Sequence, residues 1–192
     1  KMFVHTLDDE NVKNTFVWNN GSARTNYKIV DKRAMMTEIN DKGENVSQEK
    51  QAELVSLVGE LSKSASVAVM SGSLPGGVGD DYYLKLISAV PKTTKIILDT
   101  SGNKMIAGLR GGAYLIKPNL DELQEMTGEH YDSFDEMITG CEKLIEAGAE
   151  NVMLSLGRKG AILTDGDKAY FCKSATVAVN STVGAGDGMV AA

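Results

Sequence analysis

The run Thr182-Val183-Gly184-Ala185-Gly186-Asp187 places two glycines and a carboxylate directly before an apolar, small-residue helix start. Glycines at a helix amino terminus let backbone N–H groups converge on an anion, and the helix dipole favours negative charge there. The chemistry this suits is a phosphate cradle. A carboxylate in the same turn would repel a resting phosphate, so Asp187 suits a base that takes a proton from an attacking hydroxyl. The structural alternative is that Asp187 caps the helix. A Gly-rich loop also fits a dinucleotide site, but no later strand in this sequence carries the ribose-binding acid that such a site needs.

Other chemistry-bearing residues recur at one kind of place. Ser71-Gly72-Ser73-Leu74-Pro75-Gly76-Gly77, Asp99-Thr100-Ser101-Gly102, Lys117-Pro118-Asn119 and Gly157-Arg158-Lys159-Gly160 each follow an apolar run of strand length. In open α/β sheets, ligands bind just beyond the carboxyl ends of the strands. Each residue also has a purely structural use. Asn119 with Glu122 has helix-cap spacing, Gly157 and Gly160 fit a strand-to-hairpin turn, and the Ser73 hydroxyl can cap a turn. Asp99 ends a buried strand, reads as a partner for nearby backbone N–H groups, and stays outside the catalytic set.

The elements that must position these residues follow from periodicity. Strands are expected at Val67 to Met70, Ile96 to Leu98, Tyr114 to Ile116 and Val152 to Leu156, between stretches of helical spacing. Those stretches are Leu54-Leu57-Val58-Leu61, Tyr83-Leu86-Ile87-Val90, and Phe134 through Ile145, the last opened by a Ser133/Glu136 capping box and closed at Gly148. Alternation of this kind predicts a parallel sheet wrapped by helices. Ala161 to Thr164 and Lys168 to Phe171, joined by Asp165-Gly166-Asp167, predict an antiparallel edge hairpin. The first forty residues carry no long helical pattern, and Thr15 to Trp18, Thr25 to Val30 and Ala34 to Ile39 read as short strands of a small β subdomain.

Composition narrows the partner. In 192 residues, 26 acidic against 20 basic side chains give a net charge of −6, which argues against nucleic acid or an anionic membrane surface. No stretch approaches the ~20 apolar residues of a membrane span, and the start lacks a signal peptide's order, so a cytoplasmic setting is expected. Cys141 and Cys172 are too few for a disulfide framework or zinc site and read as small core residues. The N-x-S/T triplets at Asn45 and Asn180 would matter only in a secreted protein. Trp18, Tyr27 and the nine methionines read as packing or subunit contacts.

Five segments in this order, GSARTNYKIVD at 21–31, SGSLPGGV at 71–78, IKPNLDEL at 116–123, LSLGRKGA at 154–161 and STVGAGDGMVAA at 181–192, resemble the PfkB or ribokinase-like sugar kinases. Within them the likeness is to the 1-phosphofructokinase and tagatose-6-phosphate kinase branch. The resemblance implies a ribokinase-like three-layer α/β/α sandwich with a small β-sheet lid, residues 1–45 belonging to the lid and its connections and 46–192 to the α/β nucleotide-binding and catalytic body. It implies ATP and Mg²⁺ as cofactors and a sugar phosphate as partner. The favoured reaction converts fructose 1-phosphate to fructose 1,6-bisphosphate, with tagatose 6-phosphate as the alternative acceptor.

By the same resemblance Asp187 is the catalytic base, with Gly184, Ala185 and Gly186 holding developing charge through their backbone. Lys117, Asn119, Ser155, Gly157, Gly160 and Thr182 contact ATP, Glu122 helps organise magnesium, and Arg24 and Ser73 hold the sugar phosphate. Gly188 departs from the serine common in this branch. The family's first strand, its sugar-binding aspartate and glycine-rich motif, and its last helices have no counterpart in the sequence. A catalytically inactive nucleotide-binding fragment with exposed apolar surface, prone to aggregate, is therefore a second expectation. Short lid strands bury little surface alone, so a homodimer through the lid is also expected.

Overall fold

The computed structural model describes residues 2–31, 35–175 and 184–192. Its contacts divide the chain into two units, Lys1–Leu54 with Pro75–Val78, and Val55–Leu74 with Gly79–Ala192.

The first unit contains helix α1 (Met2–Asp9), strands β1 (Asn26–Val30) and β2 (Met36–Asn40), and the start of α2 (Gln48–Ser62). The strands pair antiparallel with Tyr27 opposite Ile39. Tyr27, Ile29 and Ile39, which this register puts on one face, are 59, 54 and 55% exposed. Two expectations need correction. Met2–Asp9 forms a helix, ended at Asn11 in the left-handed region (φ 55°), and Thr15 to Trp18 belongs to no strand. The β-favouring residues of that segment find no ladder; Phe16 and Trp18 meet each other instead, ring centroids 5.5 Å apart. The start of the third expected strand, Ala34, lies outside the described residues.

The second unit is built on strands β3 (Val67–Ser71), β4 (Lys95–Asp99), β5 (Leu115–Ile116), β6 (Val152–Ser155), β7 (Ala161–Thr164) and β8 (Ala169–Cys172), paired in that order. The first four run parallel and the last two turn back antiparallel as a hairpin. Parallel neighbours require crossovers, supplied by α3 (Tyr82–Ala89), α4 (Gly102–Leu109), and α5 (Leu120–Thr127) with α6 (Phe134–Glu146). Right-handed crossovers that advance one strand at a time leave their helices on one face of the sheet. There α3 packs on α4, α4 on α5 and α5 on α6.

That face is the core. Leu98, Ile116, Val152, Leu154 and Ile162 from the sheet and Met105, Leu109, Leu123 and Leu144 from the helices are at most 2% exposed. On the other face of the sheet, Val67, Val69 and Leu163 are 47, 52 and 41% exposed. Cys141 lies in the core, where burial pushes its thiol up to about 12. Cys172 is exposed, not core, because it ends β8, a strand with no buried residue. A short helix α7 (Ala185–Ala191) closes the described chain. No helix among the described residues is long and apolar enough to cross a membrane.

Candidate active site

The sheet register lines up the loops picked out by the sequence. Ser71 pairs with Asp99, Leu98 with Ile116, and Asn119 bridges Ser155, so the carboxyl ends of β3 through β6 lie side by side. The loop after β3 is tied down at once: Gly72 N donates to the Asp99 carbonyl at 3.1 Å, while the Gly72 carbonyl accepts from Tyr83 Oη at 2.8 Å and Thr100 Oγ1 at 3.1 Å. Gly72 has φ 111°, which a side chain would resist. Burial raises the pKa of the Tyr83 hydroxyl, keeping it a donor. Ser73 follows on the exposed side.

Lys117 is the unusual residue of this edge. It continues β5 and is 8% exposed, and its Nζ lies 3.4 Å from Asp99 Oδ1. An ammonium taken out of water is costly unless it is paired, so the Asp99 carboxylate compensates it. Gly186 in the first turn of α7 faces the same ammonium; a Cβ there would stand 3.1 Å from Lys117 Nζ. The start of α7 is thus brought against the end of β5. The N-cap of α7 is Gly184, in the left-handed region at φ 79°, and no side chain among the described residues closes the turn. Asp187 stands in the first turn, exposed, and its carboxylate has no hydrogen bond or ion pair among the described residues. The cap position belongs to Gly184, so helix capping by Asp187 is not what the chain does.

Asn119 and Glu122 are engaged structurally. Asn119 is the N-cap of α5, its Oδ1 accepting from Glu122 N at 2.9 Å, while Glu122 Oε2 accepts from Asn119 N at 2.9 Å. One Glu122 oxygen is spoken for by this box. No cluster of three or more His, Cys, Asp or Glu able to hold a metal is found among the described residues. The donors present therefore do not make an all-protein cage, but they fit magnesium held through water, one carboxylate and substrate phosphates.

Ser155 ends β6, donating N–H and Oγ to the Pro118 carbonyl at 2.9 and 3.3 Å. The two glycines that follow differ. At Gly160 (φ 117°) a Cβ would run into the Cys172 carbonyl, a steric demand of the hairpin, whereas Gly157 (φ 56°) faces open space. Arg24 belongs to the first unit, where with Phe16, Trp18 and Glu44 it lines a cavity of about 450 Å³. Thr182 lies outside the described residues. Lys117, Asn119, Ser155, Gly157 and Gly186 are thus gathered at one sheet edge of the second unit. Asp99, left out on sequence grounds, is gathered with them. The signal available for it was an acidic residue at the end of a buried strand.

The parallel carboxyl edge of the sheet thus carries a buried lysine beside a glycine-opened helix. The whole chain, residues 1–192, matches the pfkB family carbohydrate kinase model, and the chain belongs to that family. It is 33% identical over 188 residues to the 1-phosphofructokinase of Borreliella burgdorferi, an overlap of 97% of this chain and 60% of that protein. To the Bacillus subtilis 1-phosphofructokinase it is 32% identical over 186 residues, 96% of this chain and 60% of the relative. The chain therefore spans about three-fifths of these relatives. Escherichia coli phosphofructokinase-2 in complex with fructose-6-phosphate superposes with a TM-score of 0.86 at 30% identity, over 98% of this chain and 63% of that one. Arabidopsis thaliana ribokinase shares the fold, with a TM-score of 0.68 at 22% identity over 90% of this chain and 55% of the other.

Proposed function

We propose that the chain carries the nucleotide-binding and phosphoryl-transfer body of an ATP-dependent kinase that phosphorylates a ketohexose phosphate, fructose 1-phosphate first. The observation that carries the reading is the Lys117 ammonium, buried at the sheet edge and facing Gly186 in the turn that presents Asp187. Phosphoryl transfer needs positioning and positive charge more than covalent chemistry. Lys117 and Asn119 hold the ATP phosphates, with Ser155, Gly157, Gly160 and Thr182 along the nucleotide. Asp187 takes the proton of the acceptor hydroxyl as that oxygen attacks the γ-phosphorus, and the bond to the β–γ bridging oxygen breaks. The backbone N–H groups of Gly184, Ala185 and Gly186 meet the charge that develops. Arg24 and Ser73 hold the phosphate already on the sugar, a guanidinium being suited to bidentate contact. Glu122 is the residue that would help hold magnesium, which when bound neutralises charge on the phosphates.

The names of the relatives support fructose 1-phosphate as acceptor; tagatose 6-phosphate would present a different hydroxyl to Asp187 for the same phosphoryl transfer. A second reading is nucleotide binding without turnover. The exposed Tyr27, Ile29 and Ile39 face supports a homodimer through β1 and β2, and one solved neighbour is described as a tetramer. The test is ADP release with Mg·ATP and fructose 1-phosphate, tagatose 6-phosphate or fructose 6-phosphate. Turnover on the first sugar that collapses in Asp187→Asn is expected. ATP binding without turnover on any sugar would leave the second reading in its place.

A further inference from the structure

Resting on that reading of the ATP site, we propose that Asp99 is a positioning residue: its carboxylate, together with the side-chain-free Gly186, fixes the Lys117 ammonium at the start of α7, where the phosphates of ATP are received. The backbone of Asp99 is held from two sides, by the β3–β4 register at Ser71 and by the N–H of Gly72 on its carbonyl at 3.1 Å. Its side chain is 17% exposed, so the carboxylate is largely enclosed, with Oδ1 3.4 Å from the Nζ of Lys117, the residue that follows β5. The pair is buried yet loose. At 3.4 Å it is longer than the surface pairs Lys50–Glu53 at 2.6 Å and Lys85–Asp81 at 2.9 Å. A charge-assisted contact at full strength closes to about 2.7–2.9 Å. The ammonium is therefore held in place without being fully consumed, and donor capacity remains for a phosphate oxygen. Gly186 leaves room for the ammonium on the other side, because a Cβ there would stand 3.1 Å from Nζ and crowd it.

This arrangement makes Asp99 act through Lys117, which two measurements can read on the same variants. In the ligand-free protein, acylation of lysines by an amine-reactive ester, followed site by site by mass spectrometry, reports the state of the Lys117 amine directly. Lys117 in Asp99→Asn should label several-fold faster than in wild type, with Lys95 and Lys143 as internal references, and Asp99→Glu should return toward wild type. Gly186→Ala should also change Lys117 labelling, and it serves where Asp99→Asn folds poorly. Affinities for ATP and for adenosine, both in a chelator so that no metal enters, form the second measurement. Asp99→Asn should weaken ATP about tenfold, the scale of one charge-assisted contact, and leave adenosine unchanged. In a Lys117→Met background the Asp99 substitution should have no further effect on ATP.

Unchanged labelling of Lys117 in both Asp99→Asn and Gly186→Ala would overturn the proposal. So would equal losses for ATP and adenosine, or an Asp99 effect that persists without Lys117. Labelling that depends on Asp99 in a wild-type protein that does not bind ATP would uphold the positioning and remove the nucleotide reading instead.

Discussion

Helices α5 and α6 begin finished, and α7 begins open. At the first two, Asn119 and Ser133 accept from the backbone N–H three residues on, and Glu122 and Glu136 reach back to the cap residue's own N–H. One of the first-turn N–H groups left over at any helix start is answered there by the cap side chain itself. At α7 the cap residue is Gly184, with no side chain to offer, and the Lys117 ammonium lies against Gly186. Equivalent helix positions thus serve opposite ends. Closed starts fix where an element begins; under the proposed function the open one leaves its amides for the phosphates of ATP. Asn119 sits at the boundary of the two uses, since its side-chain oxygen is occupied by the cap while its position faces the proposed phosphate edge.

The contrast can be broken most sharply at Asp187. Asp187→Asn keeps the size and the helix but cannot take a proton, so turnover should fall by about 10²- to 10⁴-fold while ATP affinity stays near wild type. Retained turnover would put the open helix start outside the chemistry. Next come the closed starts. Asn119→Ala and Ser133→Ala should each cost about 1 kcal/mol in urea unfolding. Only the former should also alter ATP affinity; an ATP effect from Ser133→Ala would show that cap and site are not separable.

The smallest effect is a pH dependence. Backbone N–H groups of Asp132 and Ser133 hold the Glu136 carboxyl below its ordinary value. A carboxyl depressed on folding stabilises above its unfolded pKa, and that contribution is lost as pH falls through the folded one. Glu136→Gln should therefore lower the urea midpoint at pH about 7, and its gap to wild type should close as the pH approaches about 3. A gap that is independent of pH would assign the cap to the neutral hydrogen bonds alone.

Local signals were legible wherever one residue type answered its own neighbours. The capping box of α6 could be read because Ser133 and Glu136 lie three residues apart and each bonds to the other's backbone. The edge hairpin could be read too, but its second strand starts one residue later than its pattern indicated. Asp165 Oδ1 accepts from the N–H groups of Asp167 and Lys168 at 3.1 and 2.8 Å, which keeps Lys168 in the turn. Helix α4 was not legible, because Gly102 and Gly108 lower its intrinsic propensity. What forms it is packing. Met105 and Leu109 are buried to 0 and 1% exposure, and a Cβ at Gly108 would stand 2.7 Å from Leu98 Cδ2, so only glycine lets the helix come that close to the sheet.

The sequence by itself determined the alternation of strand and helix, the closed start of α6, the cap spacing of Asn119 with Glu122, and the placing of loop glycines and polar residues just past apolar runs. These are properties of spacing, and spacing survives without neighbours. Tertiary structure alone decided which of those residues meet. It laid β4 beside β5 so that Asp99 faces Lys117, removed the ammonium from water, and brought the glycine turn of α7 against it. It also separated Gly157 from Gly160, one facing open space and the other a backbone carbonyl. The reason is that charge compensation and close approach depend on distances through space between residues far apart in the chain, from 99 to 186, which no local pattern encodes.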